Sequence, residues 1–327
     1  DGWGLVAFNN FDKLEQYLNL AKYQSSLIKK RKIKLADTPA IKEYYKMQPK
    51  DNPFNYSIKE KFDVCRNYNL LLKNNPQIQT TSVRYRDNKI ISLFYNTEGS
   101  EIITEKIFCG ISLAAIARDG NNIQSCHRSF GDYNGFKKNI LSKESEIENI
   151  VSTARRLLTA EPVKPGKYLT IIDPVLSGVF AHEAFGHLSE ADFQYENKNL
   201  KKIMKLGTIF GGENLNIIDD PTLPNLAGSY KYDSEGVKAQ KKYLIKNGRL
   251  VGRLHSRETA AVMNEECTGN CRALNASFPP IVRMSNTYIE NGETPFNKML
   301  ESIEYGIYAK GALGGMTNTE MFTFSAE

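Results

Sequence analysis

What this 327-residue chain lacks narrows its class before any motif is considered. No apolar run approaches the roughly 20 residues that a membrane-spanning helix needs; the longest are stretches such as YLTII and GVFA. The chain is therefore not expected to cross a bilayer. Cysteines are few and odd in number (Cys65, Cys109, Cys126, Cys267, Cys271), which argues against a disulfide framework and for a reducing, cytoplasmic compartment. The sequons at Asn55 and Asn275 are short enough to arise by chance and do not outweigh that. There is no low-complexity tract, no repeat and no alternation of strands with helices of the kind that builds doubly wound parallel sheets. One basic cluster, KKRKIK at 29–34, stands out in a chain of net charge +6. It has no aromatic-rich RNA motif or finger spacing beside it and suits a solvated helix end, so a nucleic-acid partner is not expected.

What is present is a globular composition, 41% hydrophobic and 24% charged, long enough for about two domains. Apolar spacing predicts an amphipathic helix from Phe11 to Lys30. Residues 35–55, with Pro39, Pro49 and Pro53, read as a loop. Ser57 followed by Glu60 is a capping-box signature opening a second helix. From Ile78 to Phe130, β-branched and aromatic runs separated by Asp-Asn, Glu-Gly and Asp-Gly predict an antiparallel meander, and a helix is predicted at about 143–159. The Pro/Gly-rich EPVKPGKY then marks a joint, dividing an N-terminal α+β domain, 1–162, from a C-terminal β-rich domain, 163–327. The second part opens with a buried strand, YLTIID, then a helix after Pro174, then strands in hairpins with turns at Asn247-Gly248 and Asn291-Gly292. The expected fold class is α+β, with antiparallel or mixed sheets and flanking helices. The opening DGWG without Met and the interrupted alternation of MFTFSAE suggest a chain cut at both ends.

AHEAFGH, residues 181–187, holds two of the four histidines. The zinc-protease signature HExxH puts two ligands one helical turn apart with the glutamate as general base; here the second histidine comes one residue late. On a regular helix a ligand at i+4 lies about 40° from the first and one at i+5 about 140°, so His182 and His187 would face apart. A π-bulge, or unwinding at the helix end, would bring them together, and the backbone freedom of Gly186 makes such a distortion cheap. Val179 and Phe180 would bury the helix and exclude water. Spacing alone leaves open that the histidines are structural. A catalytic zinc needs a third ligand, for which Glu190 and Asp192 are local candidates and Cys267 with Cys271 a further option. His255 is ambiguous and His127, within a predicted strand, reads as structural.

DPVLSGVFAHEAFGHLSEAD, the long block NIIDDPTLPN through GRLHSRETA, TGNCRAL and RMSNTYIENG together resemble the TldD/PmbA family of metallopeptidases, whose members also carry the label modulator of DNA gyrase. DGWGLVAF and PVKPGKYLTIIDP are similar too, so the resemblance runs through nearly the whole chain in order. It implies a two-domain architecture and an HExxxH zinc peptidase with His182 and His187 as ligands of Zn²⁺ and Glu183 as general base, on the TldD side of the family. It implies a homodimer, or a heterodimer with a paralogous subunit, enclosing a cavity that takes extended peptides by strand addition. The third ligand it implies is a cysteine in a segment that would follow Glu327. Cys267 and Cys271 do not match that position; Cys271 stands where the family block TGNGRR has glycine. The family's first segment would precede DGWG.

The expectation is a zinc-dependent peptidase acting on short or unfolded peptides through a metal-activated water, with no membrane association. The Gly-rich IFGGENL at 209–215 and KGALGGM at 310–316 are candidates to lie against peptide backbone. The alternative is a non-catalytic protein that binds a partner or peptide and regulates it.

Overall fold

The computed structural model describes residues 2–27, 33–318, 321 and 323–326. The basic residues at 29–32 lie outside the described residues. Helix α1 (Leu14–Leu27) precedes strand β1 (Lys42–Met47), helix α2 (Ile58–Lys73), the long strands β2 (Ile78–Tyr95), β3 (Glu101–Asp119) and β4 (Asn122–Asp132), and helices α3 (Phe136–Ile140) and α4 (Glu144–Leu157). The predicted meander is there, β2 and β4 both pairing antiparallel with β3. Along β3 the alternate residues Ile107, Cys109, Ile111, Leu113, Ala115 and Ala117 are buried, the period of two that one covered sheet face requires. Tyr68 and Leu72 of α2 and Ile147, Ile150 and Ala154 of α4 cover that face. Each large apolar side chain fully buried there is worth about 1.5–3 kcal/mol. The capping box at the start of α2 forms as read, Glu60 N–H donating to Ser57 Oγ and Ser57 N–H to Glu60 Oε2.

Two expectations fail in this half. Residues 42–47 are not loop: β1 runs parallel to β3 over Glu101–Lys106, on the same β3 edge that carries β4 further along. Its sequence, KEYYKM, is too polar to announce a strand; its polar side chains find partners far along the chain, Lys42 with Glu101, Tyr44 with Glu105, and Glu43 with Lys231 and Tyr232. Asp87-Asn88 is not a turn: β2 continues through it, opposite Cys109 and Phe108. Asp87 is held by Lys61 and Tyr85 at 2.6 and 2.7 Å, and the ladder on β3 overrides the local turn preference.

Beyond the Pro/Gly stretch come β5 (Leu169–Ile172), α5 (Pro174–Ala181), α6 (Ala191–Glu196), α7 (Lys198–Ile203), β6 (Ile217–Asp219), β7 (Lys242–Lys246), β8 (Arg249–Leu250), α8 (Arg257–Met263), β9 (Cys271–Arg272), β10 (Ile281–Val282), β11 (Thr287–Ile289), α9 (Phe296–Glu301), β12 (Gly306–Ala309), β13 (Gly315–Asn318) and β14 (Thr323–Ala326). The order β11-β6-β7-β8 forms an antiparallel sheet, β12 pairs parallel with β5, and β13–β14 is a separate hairpin. Asn247 and Gly248 both take positive φ and turn the β7–β8 hairpin. Asn291-Gly292 makes no hairpin, because β11 is already paired with β6 and the chain passes on to α9. The YLTII strand is only half-buried, its Leu169 being 63% exposed, since β5 belongs to a two-stranded sheet. A second core, with Ala184, Phe185, Leu188, Leu244, Leu254 and Met284 among its members, lies under the histidine segment. Across to the first half, Arg257 grips Glu98 with two bonds of 2.7 Å and donates to Ala36 O.

Candidate metal centre

The helix that carries the histidines begins where its sequence says it should. Asp173 caps it, its carboxylate accepting from Leu176 N–H at 2.8 Å, and Pro174 occupies the first turn where a missing N–H costs nothing. The apolar VLSGVFA then forms α5, and at His182 the hydrogen-bond period widens. Residues His182–Gly186 form a π-helical turn, closed by the His187 N–H donating to His182 O, five residues back, and followed by a 3₁₀ turn over His187–Ser189. The extra residue held in that turn brings the two imidazoles together, their ring centroids 4.7 Å apart and their planes at 87°. Of the two remedies for the late histidine, the bulge is the one adopted.

Gly186 serves this turn differently from the expectation. Its φ and ψ are −61° and −63°, ordinary right-handed values, so its backbone freedom is not used. What matters is its missing side chain. A Cβ there would overlap Met284 Sδ and lie 3.0 and 3.1 Å from Met284 Cγ and Cε.

His182, Glu183 and His187 each offer a donor atom, and these atoms lie within 4.8 Å of one another, the one such cluster of metal-binding side chains among the described residues. Burial holds the His182 pKa below its ordinary value, and the neighbouring His187 adds to the effect. Both influences favour the neutral imidazole, the form that ligates a metal. Nitrogen donors beside a carboxylate in a partly enclosed site suit a zinc-class divalent cation. Glu183 is only 7% exposed. Thr317 Oγ1 lies 2.5 Å from its Oε2 and 2.8 Å from its carbonyl oxygen. Gly315, two residues earlier on β13, approaches so closely that a Cβ would sit 2.5 Å from Glu183 Cγ and 2.8 Å from Oε1. The β13–β14 hairpin thus lies over the glutamate, and Phe324 of β14 packs edge-on against Phe180 at 5.4 Å. Phe180 does help to shield the segment, as its sequence suggested, with the hairpin as its partner.

The remaining candidates disperse. Glu190 is not in the cluster but stands behind it, its Oε2 3.3 Å from His187 Nδ1. Asp192 accepts from Val282 N–H at 2.8 Å and so fastens β10 to α6. Cys271 is buried in β9, and burial pushes the thiols of Cys267 and Cys271 up, away from the thiolate a metal would need. His255 is buried between Thr259 and Glu265, at 3.2 and 3.1 Å, in the network around the start of α8. His127 lies exposed on β4. The glycines of IFGGENL meet the chain's own backbone, Phe210 N–H and Gly211 N–H both donating to Gly248 O. KGALGGM meets Glu183 through Gly315. Thr317 and the reach of Glu190 were not among the sequence candidates; the only local signal for Thr317 is a strand of small and polar residues far along the chain.

Comparison with known proteins agrees with this geometry. Residues 165–327 match the PmbA/TldA metallopeptidase C-terminal domain, and residues 51–160 the PmbA/TldA metallopeptidase central domain. A metalloprotease of Synechocystis sp. is 42% identical over 330 residues, covering 99% of this chain and 70% of that protein. A metalloprotease of Methanocaldococcus jannaschii is 40% identical over 338 residues, covering 100% of this chain and 73% of that protein. A solved structure from Bacteroides thetaiotaomicron, labelled a candidate modulator of DNA gyrase, shares the fold with a TM-score of 0.77 at 18% identity, over 100% of this chain and 73% of that one. Similarity of this extent, over the same residues that build the histidine site, places the chain in the TldD/PmbA family of metallopeptidases.

Proposed function

We propose that this chain is a zinc-dependent peptidase of the TldD type that hydrolyses short or unfolded peptides, with His182 and His187 as metal ligands and Glu183 as general base. The observation that carries the reading is the π-helical turn, which gathers two imidazoles and a carboxylate that a regular helix would separate. When bound, zinc at these imidazoles would supply a water of lowered pKa and polarise the scissile carbonyl. The protein's own part is positional. Glu183 takes the proton from the attacking water and returns it to the leaving amine, as a carboxylate next to a ligand can, and Thr317 fixes the direction in which that carboxylate points. The hairpin over Glu183 and the aromatic contact of Phe180 with Phe324 limit water around the base, which strengthens each electrostatic contact there. From family membership the proposal extends to a cytoplasmic homodimer or a heterodimer with a paralogous subunit. Among the described residues, no helix is long and apolar enough to cross a membrane.

Elemental analysis and an unstructured fluorogenic peptide test the reading together. The expected result is about one zinc per chain, lost in His182→Ala, with Glu183→Gln retaining the metal and losing cleavage. Cleavage undiminished in Glu183→Gln would remove the glutamate from the chemistry, and a folded protein carrying the cysteine segment that the resemblance places after Glu327, yet holding no zinc, would overturn the metallopeptidase reading.

A further inference from the structure

Glu190 is fully buried, one residue past the 3₁₀ turn that ends the histidine segment. Its backbone is fixed on both sides: Glu190 N–H donates to His187 O at 3.2 Å, Ala191 N–H to Leu254 O at 2.9 Å, and Leu254 N–H to Ser189 O at 2.9 Å. A carboxylate in such a place costs several kcal/mol unless well paired, so its pairing indicates what it is for. Oε2 stands 3.3 Å from His187 Nδ1. Oε1 is buried without a hydrogen-bond partner among the described residues. The nearest cation to it, Arg283 Nη1, is 3.7 Å away, too far for a hydrogen bond, on a side chain 39% exposed. That contact leaves Oε1 without a hydrogen bond. The direct partner of the carboxylate is the imidazole.

A carboxylate on one ring nitrogen of a histidine fixes the tautomer and the ring plane. The proton is held at Nδ1 and the lone pair of Nε2 is left for a metal. Glu190 is itself outside the donor cluster of His182, Glu183 and His187, so it acts through His187 and not on the metal. We propose that Glu190 is the positioning residue of the metal centre. It holds His187 in the Nδ1–H form and in ligating orientation, while Arg283 stands 3.7 Å from the other oxygen, Oε1, and leaves Oε2 to the imidazole. This inference rests on the metal-site reading above.

The test measures Zn²⁺ affinity by competition with a chromophoric chelator, and the visible absorption spectrum of the Co²⁺-loaded chain, for wild type, Glu190→Gln and Glu190→Ala. Glu190→Ala is expected to weaken zinc about 10–100-fold, the usual cost of losing such a partner, and to alter the Co²⁺ spectrum as His187 turns. Glu190→Gln can still accept from Nδ1–H and is expected to lose less, about tenfold, with the spectrum retained. Apo-protein melting, recorded in parallel, separates positioning from folding. Zinc affinities within twofold of wild type in both variants would overturn the proposal, and so would a fall in apo stability alone. If Glu190→Ala does not fold, Glu190→Gln and Glu190→Asp decide by the same criteria. A wild-type chain that binds no zinc would instead defeat the metal-site reading and this inference with it.

Discussion

The contact between Gly186 and Met284 can be tested more sharply than any other in the site. In Gly186→Ala the new Cβ overlaps Met284 Sδ and comes within 3.0 and 3.1 Å of Cγ and Cε. Met284 is 4% exposed and packed in the second core, so its sulfur cannot simply swing into solvent. Overpacking costs about 1–3 kcal/mol, and because the sulfur is overlapped and not merely grazed, the upper part of that range applies. Alanine recovers about 1 kcal/mol of helix propensity over glycine at these right-handed angles, leaving a net loss of about 1–2 kcal/mol. Met284→Ala alone should cost about 2–5 kcal/mol. In the double variant the added methyl has no sulfur to strike and fills part of the space left, so the two changes should fall short of additive by about 1–3 kcal/mol. Urea denaturation of the four proteins in a double-mutant cycle measures that coupling. Additivity within about 0.5 kcal/mol would show that Met284 is not what excludes a side chain at position 186. The same four proteins report on the site. Since His187 adjoins the altered residue, zinc affinity should fall in Gly186→Ala and recover in the double variant.

Three further expectations follow from contacts outside the imidazoles. Thr317→Val removes the hydroxyl that meets Glu183; kcat should fall about tenfold, equivalent to about 1.4 kcal/mol in the barrier, with KM and bound zinc unchanged. Arg257→Ala removes two bonds to Glu98 and one to Ala36 O. Apparent stability should drop by about 2 kcal/mol or more, with amide hydrogen exchange accelerating at the β2–β3 turn. Burial pushes the carboxyl of Asp233 up to about 7 from an ordinary 3.8. Because the folded state then holds its proton more tightly than the unfolded chain, this group's contribution is complete below about 4 and is lost as pH rises through about 7, at on the order of 1 kcal/mol per unit. Stability against pH, compared with Asp233→Asn, should show that fall, and parallel curves over the window would refute it.

The parts of this molecule that were legible in the sequence are those where local chemistry and tertiary context agree. The Ser57–Glu60 box, the alternation along β3, the Asn247-Gly248 turn and the helix start at Pro174 each meet a local requirement that the fold also imposes. The failures have the opposite character. Lys42–Met47 is a strand because a β3 edge, ionic partners at Glu101 and Lys231 and hydrogen-bonding partners at Glu105 and Tyr232 await it, and nothing within its own mostly polar six residues announces that. Asp87-Asn88 carries a turn preference that seventeen paired positions on β3 outvote. At the site, the pair of histidines and the need for some distortion, a bulge or an unwound end, were readable from the angle between i and i+5; the structure adopts the bulge. Glu190 appeared as a carboxylate at a plausible distance for a ligand, but whether it faces the metal or the back of His187 depends on its anchoring to Leu254, some sixty residues away in sequence. Thr317 reaches Glu183 across 134 residues, a separation over which spacing carries no signal.

The widened turn also resolves a conflict between core and site. Ala184, Phe185 and Leu188 are all buried, and all three belong to the second core, so the segment must turn those residues inward while it gathers His182, Glu183 and His187 on the donor cluster. With regular α-helical rotation, His187 at i+5 would point about 140° away from His182, toward the side the apolar residues need. An HExxH spacing would solve this by surrendering one residue between the histidines, and with it one of the inward positions. Retaining the residue and absorbing it in an i→i+5 hydrogen bond keeps the core contacts and the cluster together. That arrangement requires tight packing on the core side, where Gly186 accepts Met284, and on the donor side, where Gly315 accepts Glu183. Gly186 and Gly315 are therefore fixed by what presses against them.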